Sequence, residues 1–375
     1  MGSKIMTVLV TGAKGFIGKN LMEALSRQSN TVIHAFDSDD DPSKLTSALK
    51  EADVIYHLAG VNRPQSEDEF DRGNAGFTQS LLSLLRDMNR NPAVVLTSST
   101  QAALDNPYGI SKKKAEDLLF EYGEKTGAAV YVYRLTNVFG KWSRPNYNSV
   151  VATFCHHISR DLDIFTSDRS KIVELVYIDD VVNRFLDILH ERPEVAPREY
   201  LSVGPIYRIS LGELADRLYQ FRDIRRSLVI PDLTDDFSKR LYATYISYLH
   251  GNDFSYNLDT KSDARGSLVE LLKSRHFGQI FVSKSHGGII RGNHYHNTKT
   301  EKFCVIRGRA VIRFRHILSD DILAYEVSGD RMQIVDVPPG YTHSIENLSE
   351  DEMIVLFWAD SIFDPEHADT YSCEV

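Results

Sequence analysis

His294, His296 and Glu301 stand in the run Gly288-x5-His294-x-His296-x4-Glu301-x6-Gly308, and His343 follows inside Pro338-x-Gly340-x2-His343-x3-Asn347. These are metal-ligand types at metal-ligand spacing. On a strand, side chains alternate faces, so His294 and His296 project to one side and a tight turn returns Glu301 beside them on the next strand. His343 closes the set from far along the chain. Three imidazoles and one carboxylate hold a divalent ion, leave it residual positive charge and room for a substrate oxygen, and so make a Lewis acid. The spacing itself admits Zn, Fe, Mn or Ni.

A second set carries different chemistry. Tyr108 and Lys112 are four apart at the start of a helical pattern and share one face, while Ser99 ends the strand-like run before them. A lysine beside a phenol stabilises the phenolate and lowers its pKa. Tyr108 can then pass a proton to or from a substrate oxygen that the Ser99 hydroxyl orients. Near the start of the chain lies Thr11-Gly12-Ala13-Lys14-Gly15-Phe16-Ile17-Gly18. Its glycines let the backbone approach a pyrophosphate, and the helix that follows offers unpaired N–H groups and a favourable dipole. Asp37, ending the second strand-like run, is placed to bind a ribose 2′-hydroxyl.

The elements that must position these residues fall into two kinds. Strand-like runs at Thr7 to Val10, Thr31 to Phe36, Val54 to His57, Val94 to Ser98 and Val130 to Arg134 alternate with helical patterns, which predicts a parallel, doubly wound Rossmann-type sheet. After Leu249 the pattern changes. Beyond Asp263 come short strands between glycine and polar turns, such as Val311 to Arg315, Gln333 to Val337 and Met353 to Trp358, which predicts an all-β jelly-roll barrel. The expected domains are 1–249 and 250–375.

Composition narrows the function classes. With 43 Lys and Arg against 52 Asp and Glu, the chain carries a net charge of -9, and no nucleic-acid footprint is expected. No apolar run is long enough to cross a bilayer and no secretory pattern opens the chain, so the expectation is no membrane association and a cytoplasmic location. Cys155, Cys304 and Cys373 are odd in number and scattered, which favours neither a disulfide framework nor a thiolate metal site. Met1 to Ile5 read as a leader ahead of Met6.

The first half resembles the extended short-chain dehydrogenase/reductases that act on nucleotide sugars. The resemblance rests on Thr11 to Gly18, His57-Leu58-Ala59-Gly60, Asn74, Ser99 with Tyr108-x3-Lys112, and Tyr177-Ile178-Asp179-Asp180. It implies that Tyr108 is the acid/base, that Lys112 also holds the nicotinamide ribose, and that Ser99 fixes the reacting carbonyl. Gly12, Lys14, Gly15, Phe16, Ile17, Gly18, Asp37, Leu58 and Ala59 would line the cofactor. Asp37 favours NAD, whereas Lys14 suits the 2′-phosphate of NADP, as basic residues there do in NADP-using members; NADPH is expected, with NADH as the alternative. Lys141 and Arg144 become candidates for a substrate diphosphate, with a solvated surface as the competing reading.

The second half resembles the cupins, with Met332 in place of the leading glycine of the second segment. Within them, Asp263-x-Arg265-Gly266-x3-Glu270, Arg291-Gly292-x-His294-Tyr295 and Lys302 are similar to the deoxynucleoside-diphosphate 4-keto-sugar epimerases. Those epimerases use the counterpart of His294 as a free base and need no metal. A metal-bound His294 cannot fill that role, so Lys302 is the expected base, and Arg265 and Glu270 are substrate candidates.

Reductase followed by metal cupin resembles a family of bifunctional enzymes of capsular polysaccharide synthesis. That likeness implies a homodimer, a zinc ion and a UDP-sugar substrate: C3 epimerisation in the cupin, then C4-keto reduction to UDP-2-acetamido-2,6-dideoxy-L-talose, on the route to N-acetyl-L-fucosamine. The order has a chemical logic, because the ketone that acidifies the neighbouring C–H is lost on reduction. The alternative is a keto-sugar reductase whose cupin is a structural or dimerisation module.

Overall fold

The structure, a computed structural model, describes residues 5–64, 66–166, 168–263, 266–269, 272, 278–361 and 366–375; of residues 260–263, 266–269 and 279 it describes the backbone alone. Arg265 and Glu270 lie outside the described residues. Two compact units divide the chain, Met1–Ser149 with Ile172–Arg208, and Val150–Lys171 with Ile209–Val375. The 249/250 boundary marks where element type changes, whereas the units group by packing, so three helices are counted with the β-rich C-terminal part.

In the first unit the expected parallel sheet is present. Met6–Thr11 (β1), Thr31–Phe36 (β2), Val54–His57 (β3), Ala93–Ser99 (β4) and Val130–Leu135 (β5) are its main strands. Asn137–Phe139 (β6) pairs in parallel with Ile172–Tyr177 (β7) apart from it, and Tyr200–Leu201 (β8) completes the main sheet in the order β2-β1-β3-β4-β5-β8. Every pairing in the main sheet is parallel. Its strands read as nearly continuous apolar runs because both faces are covered; Val8, Leu9, Val54, Ile55 and Val95 have no exposed surface.

Phe16–Ser26 (α1), Pro42–Glu51 (α2), the single turn Asp68–Phe70 (α3), Phe77–Asp87 (α4) and Pro107–Thr126 (α5) alternate with these strands. The register aligns Thr11 with Phe36 and with His57, so the C-terminal strand ends share one edge. Ligands of open α/β sheets bind at that edge.

Val150–Ile158 (α6) belongs to the second unit, and Ile178–His190 (α7) to the first. Ile206–Ser210 (β9) leads the chain onward to Leu211–Ser227 (α8) and Asp236–Ile246 (α9). Apolar faces on α8 and α9 meet through Phe221 and Tyr242, with ring centroids 5.0 Å apart.

The remaining strands are Ser255–Asn257 (β10), Thr260–Asp263 (β11), Gly266–Val269 (β12), Gln279–Ser285 (β13), Ile290–Tyr295 (β14), Glu301–Arg307 (β15), Arg309–His316 (β16), Ile322–Ser328 (β17), Gln333–Val337 (β18), Tyr341–Asn347 (β19), Met353–Ala359 (β20) and Tyr371–Ser372 (β21). Apart from the β11–β12 hairpin they form two five-stranded sheets, β10-β18-β15-β20-β13 and β17-β16-β19-β14-β21. Their pairings are antiparallel, as a jelly roll requires. Phe254, Phe303, Phe314, Ile312, Ile345 and Val335 are buried in this part of the chain. Alternation along each strand sends such residues inward and polar ones outward.

Candidate functional sites

In the first unit, the turn after β1 is built by its glycines. Gly12 has φ +71°, and a Cβ there would lie 2.7 Å from the backbone nitrogen of Ala59; on Gly18 it would lie 2.1 Å from the Gly12 carbonyl oxygen. Only glycine allows both approaches. Gly15 caps α1 without a side-chain hydrogen bond, so the first N–H groups of that helix stay open to an anion. Beside the turn, His57 is buried between Thr11 Oγ1 at 2.8 Å from Nδ1 and Thr78 Oγ1 at 2.9 Å from Nε2. Thr78 gives its own proton to the Asn74 carbonyl, so it accepts from Nε2–H and the ring is neutral. Burial, reinforced by Lys112, drives its pKa down to about 3.

Tyr108 lies in the first turn of α5, where Pro107 opens the helix and the Asn106 side chain accepts the Gly109 N–H at 2.8 Å. Asn74 comes from a π-helical turn, Asp71–Gly76, and ties it to α5 by donating to Ser111 Oγ at 2.9 Å. Ser99 at the end of β4 hydrogen-bonds the Tyr108 hydroxyl, and the Lys112 Nζ is 6.0 Å from the Tyr108 ring centroid. The three expected residues thus converge. One electrostatic expectation does not hold: the phenol is not lowered. Burial pushes Tyr108 up to about 12, against the pull of Ser99 and with a further push from Tyr147. Lys112 is itself buried and donates to the Thr97 carbonyl at 3.1 Å; burial lowers it to about 8, and Glu116 opposes the fall. The Lys112 ammonium, 6.0 Å from the ring centroid, does not offset the burial of the phenol. Tyr108 therefore rests as a proton donor.

A cleft of about 810 Å³ runs past these groups. Gly12, Lys14, Gly15, Phe16, Ile17, Gly18, Leu58, Ser99, Tyr108, Lys112 and Arg144 line it. Ala59 contributes the backbone against which Gly12 packs. Asp37 accepts the Lys14 N–H at 2.8 Å, and the Lys14 ammonium is paired with Asp39 at 2.6 Å on the surface. Arg144 stacks over Tyr147 at 5.3 Å, and Arg63 approaches the same ring at 5.9 Å. Lys141 is a correction. Its side chain is buried and bound to Asp179 at 2.9 Å, so its charge is spent inside the fold rather than on a substrate.

In the second unit, β14 supplies His294, the turn after it His296, β15 Glu301 and β19 His343. One ligand atom from each lies within 4.8 Å of all the others. His296 Nε2 is 3.3 Å and His343 Nε2 3.7 Å from Glu301 Oε2. Both ring nitrogens of His343 are buried with no hydrogen-bond partner. Burial, then the neighbouring His296, pushes His343 down to about 3 and lowers His294 as well. Burial would raise Glu301, yet its bond to His296 and the surrounding imidazoles and Lys299 hold it at about 2. Two imidazoles pushed down by burial, a carboxylate held ionised and buried nitrogens without a hydrogen-bond partner make an unsatisfied donor set that fits a divalent metal.

Lys302 does not join them. It follows Glu301 on β15, so it faces the other side of the sheet, directly across from Asp336 on β18. It is buried in an ion pair with Asp336, which also binds Arg225 of α8 at 3.0 Å. Although burial lowers an ammonium, Asp336, Tyr242 and Tyr256 raise this one overall. A cation so held is a structural charge and not the base of the metal site. Replacing Asp336 by alanine strands Lys302, and should lower unfolding free energy by about 3–5 kcal/mol; denaturant unfolding with metal content measured alongside should show that loss with the metal retained.

Sequence reasoning passed over two residues. Lys299 reaches Glu301 Oε1 at 3.2 Å, and Asp369 holds the turn that carries it. Only the two-residue offset of Lys299 from Glu301 hinted at either.

With both sites described, the relationships of the chain follow. Residues 8–204 match the NAD dependent epimerase/dehydratase family and residues 261–371 the polysaccharide biosynthesis C-terminal domain. The chain belongs to the NAD dependent epimerase/dehydratase family, as an extended short-chain dehydrogenase/reductase that continues into such a C-terminal domain. It is 45% identical over 370 residues to the UDP-2-acetamido-2,6-beta-L-arabino-hexul-4-ose reductase of Pseudomonas aeruginosa, covering 99% of each chain. Among solved structures it is similar to the capsular polysaccharide assembling protein CapF of Staphylococcus aureus, at 45% identity and TM-score 0.68, covering 99% of this chain and 100% of that one. A UDP-glucuronic acid 4-epimerase from Bacillus cereus, at 20% identity and TM-score 0.52 over 58% of this chain and 83% of that one, shares the fold of the first part.

Proposed function

We propose that the chain reduces the C4 ketone of a UDP-linked 2-acetamido-2,6-dideoxy sugar, after the barrel has inverted the neighbouring C3 centre, and so forms UDP-2-acetamido-2,6-dideoxy-L-talose for a surface polysaccharide. The observation that carries the reductive step is the convergence of Ser99, Tyr108 and buried Lys112 in one cleft beside the glycine turn, where burial favours the protonated phenol. The Pseudomonas aeruginosa relative, named as a reductase of such a 4-ulose, supports the substrate class. Reduced nicotinamide, as NADPH or NADH, supplies the hydride when bound. Ser99 and Tyr108 hold the ketone oxygen, and Tyr108 gives its proton to the alkoxide as it forms. Lys112 anchors the cofactor ribose and keeps positive charge beside the proton donor.

For the inversion, His294, His296, Glu301 and His343 would hold one divalent ion, zinc by family likeness. A metal there supplies Lewis-acid charge to a ketone oxygen and so acidifies the adjacent C–H. Glu301 stays ionised, and burial disfavours protonation of His294 and His343, which keeps these three available as ligands. The test uses the full chain in D2O without nicotinamide cofactor. Deuterium should enter C3 of the UDP-4-keto sugar, read by NMR, and addition of NADPH should then convert the labelled ketone to the talo product. A product that retains the C3 configuration and takes up no deuterium would leave a reductase with a structural barrel.

A further inference from the structure

Asp369 lies 70 to 72 residues beyond Asn297, Thr298 and Lys299, yet it bonds to each of them in the turn between His296 and Glu301. Its carboxylate accepts the N–H groups of Asn297 at 2.9 Å, Thr298 at 2.7 Å and Lys299 at 2.7 Å, and the Thr298 hydroxyl at 2.8 Å. Its backbone carbonyl lies at hydrogen-bond distance from Nδ1 of His296. A carbonyl can only accept, so His296 carries a proton on Nδ1, and Nε2, the nitrogen facing Glu301, is the atom that would ligate an ion. Asp369 is buried, and burial would raise its pKa, but the three N–H donors hold it low.

The turn so fixed carries Lys299, whose ammonium binds Glu301 Oε1 at 3.2 Å and reaches Thr370 Oγ1 at 3.4 Å. One carboxylate oxygen of Glu301 is thereby occupied, and Oε2 is the oxygen left toward the imidazoles. The segment after Asp369 is stitched down separately. Tyr371 and Ser372 pair with Tyr295 and His294, Cys373 donates its N–H to the Asn293 carbonyl at 2.9 Å, and Arg315 donates to the Glu374 carbonyl at 2.7 Å.

We propose that Asp369 is a positioning residue for the metal centre, and that residues 369–374 form a strap that sets the tautomer of His296 and holds Glu301 to one ligating oxygen. This rests on the metal reading above. The strap acts through His296 and Lys299 and supplies none of the four candidate ligands itself. Such outer contacts are worth about 10–100-fold in metal affinity.

The full chain, stripped of metal and titrated with Zn2+ against a colorimetric chelator, tests it. Asp369→Ala should bind one Zn2+ about 10–100-fold more weakly than the wild type, release it faster, and gain less in Tm from added Zn2+, while nicotinamide-cofactor binding stays unchanged. Asp369→Asn, which keeps the side-chain size and one acceptor oxygen, should fall between the two and serves if the alanine variant does not fold. Lys299→Gln should weaken binding without the loss of the His296 contact. Wild-type affinity and release rate in Asp369→Ala and Asp369→Asn would overturn the strap while leaving the metal centre intact. A wild-type chain that binds no Zn2+, with His343→Ala behaving identically, would overturn both.

Discussion

Tyr108→Phe is expected to slow reduction of the UDP-4-keto sugar by about 10²–10⁴-fold, the usual worth of a positioned general acid, while nicotinamide cofactor still binds with near wild-type affinity. The hydroxyl that is removed is the proton source, held by Ser99 and kept protonated by burial. Its ring stays packed near Phe70, with centroids 5.6 Å apart, so the phenylalanine retains the fold. Single-turnover loss of NADPH absorbance separates this from a binding defect. The wild-type pH profile should carry a matching signature. Lys112 titrates near 8, so it is a cation below that pH and neutral above it, and cofactor affinity should weaken as pH climbs through that region. A Tyr108→Phe enzyme that turns over at the wild-type rate would remove Tyr108 from the chemistry.

His343→Ala should have the second large effect. His343 lies at the centre of the ligand set, its ring 4.6 Å from that of His294 and 5.4 Å from that of His296, and it is fully buried. Without it only two imidazoles and one carboxylate remain, and zinc content of the purified chain, measured by mass spectrometry, should fall from one to near zero. Deuterium uptake at C3 should disappear with it. Reduction of a ketone supplied already in the inverted configuration should persist, because the Ser99, Tyr108 and Lys112 group belongs to the other compact unit. Loss of both activities, with Tm unchanged, would instead show that the two chemistries are not separable in this way.

Both sites were legible in the sequence to the extent that their residues are local or periodic. The glycine turn, the four-residue step from Tyr108 to Lys112 and the His-x-His alternation each encode geometry within a few positions, and the structure assembles all three. Lys302 was misplaced because likeness to metal-free epimerases outweighed alternation: beside an inward Glu301 it must face outward. Lys141 failed for another reason. Its partner Asp179 is distant in sequence, and no local pattern announces that a basic residue is already neutralised. The Tyr108 pKa failed because spacing reports neighbours but not desolvation, which dominates here. Asp369 was invisible for the same kind of reason, since a lone carboxylate near the end of a chain carries no signature until the turn it caps is seen.

The pairing of β14 with β19 slips between Gly292 and His294, so that His294, rather than Asn293, stands opposite His343. Asn293 is the supernumerary residue, with φ +55°. Because faces alternate, this one irregularity sends Gly292 and His294, which an unbroken strand would place on the same face, to opposite faces of the sheet. Deleting Asn293 would leave Gly292 opposite Ser344 and His294 opposite His343 in regular pairing, so the residue adds local twist and a bend beside the ligands rather than a ligand of its own.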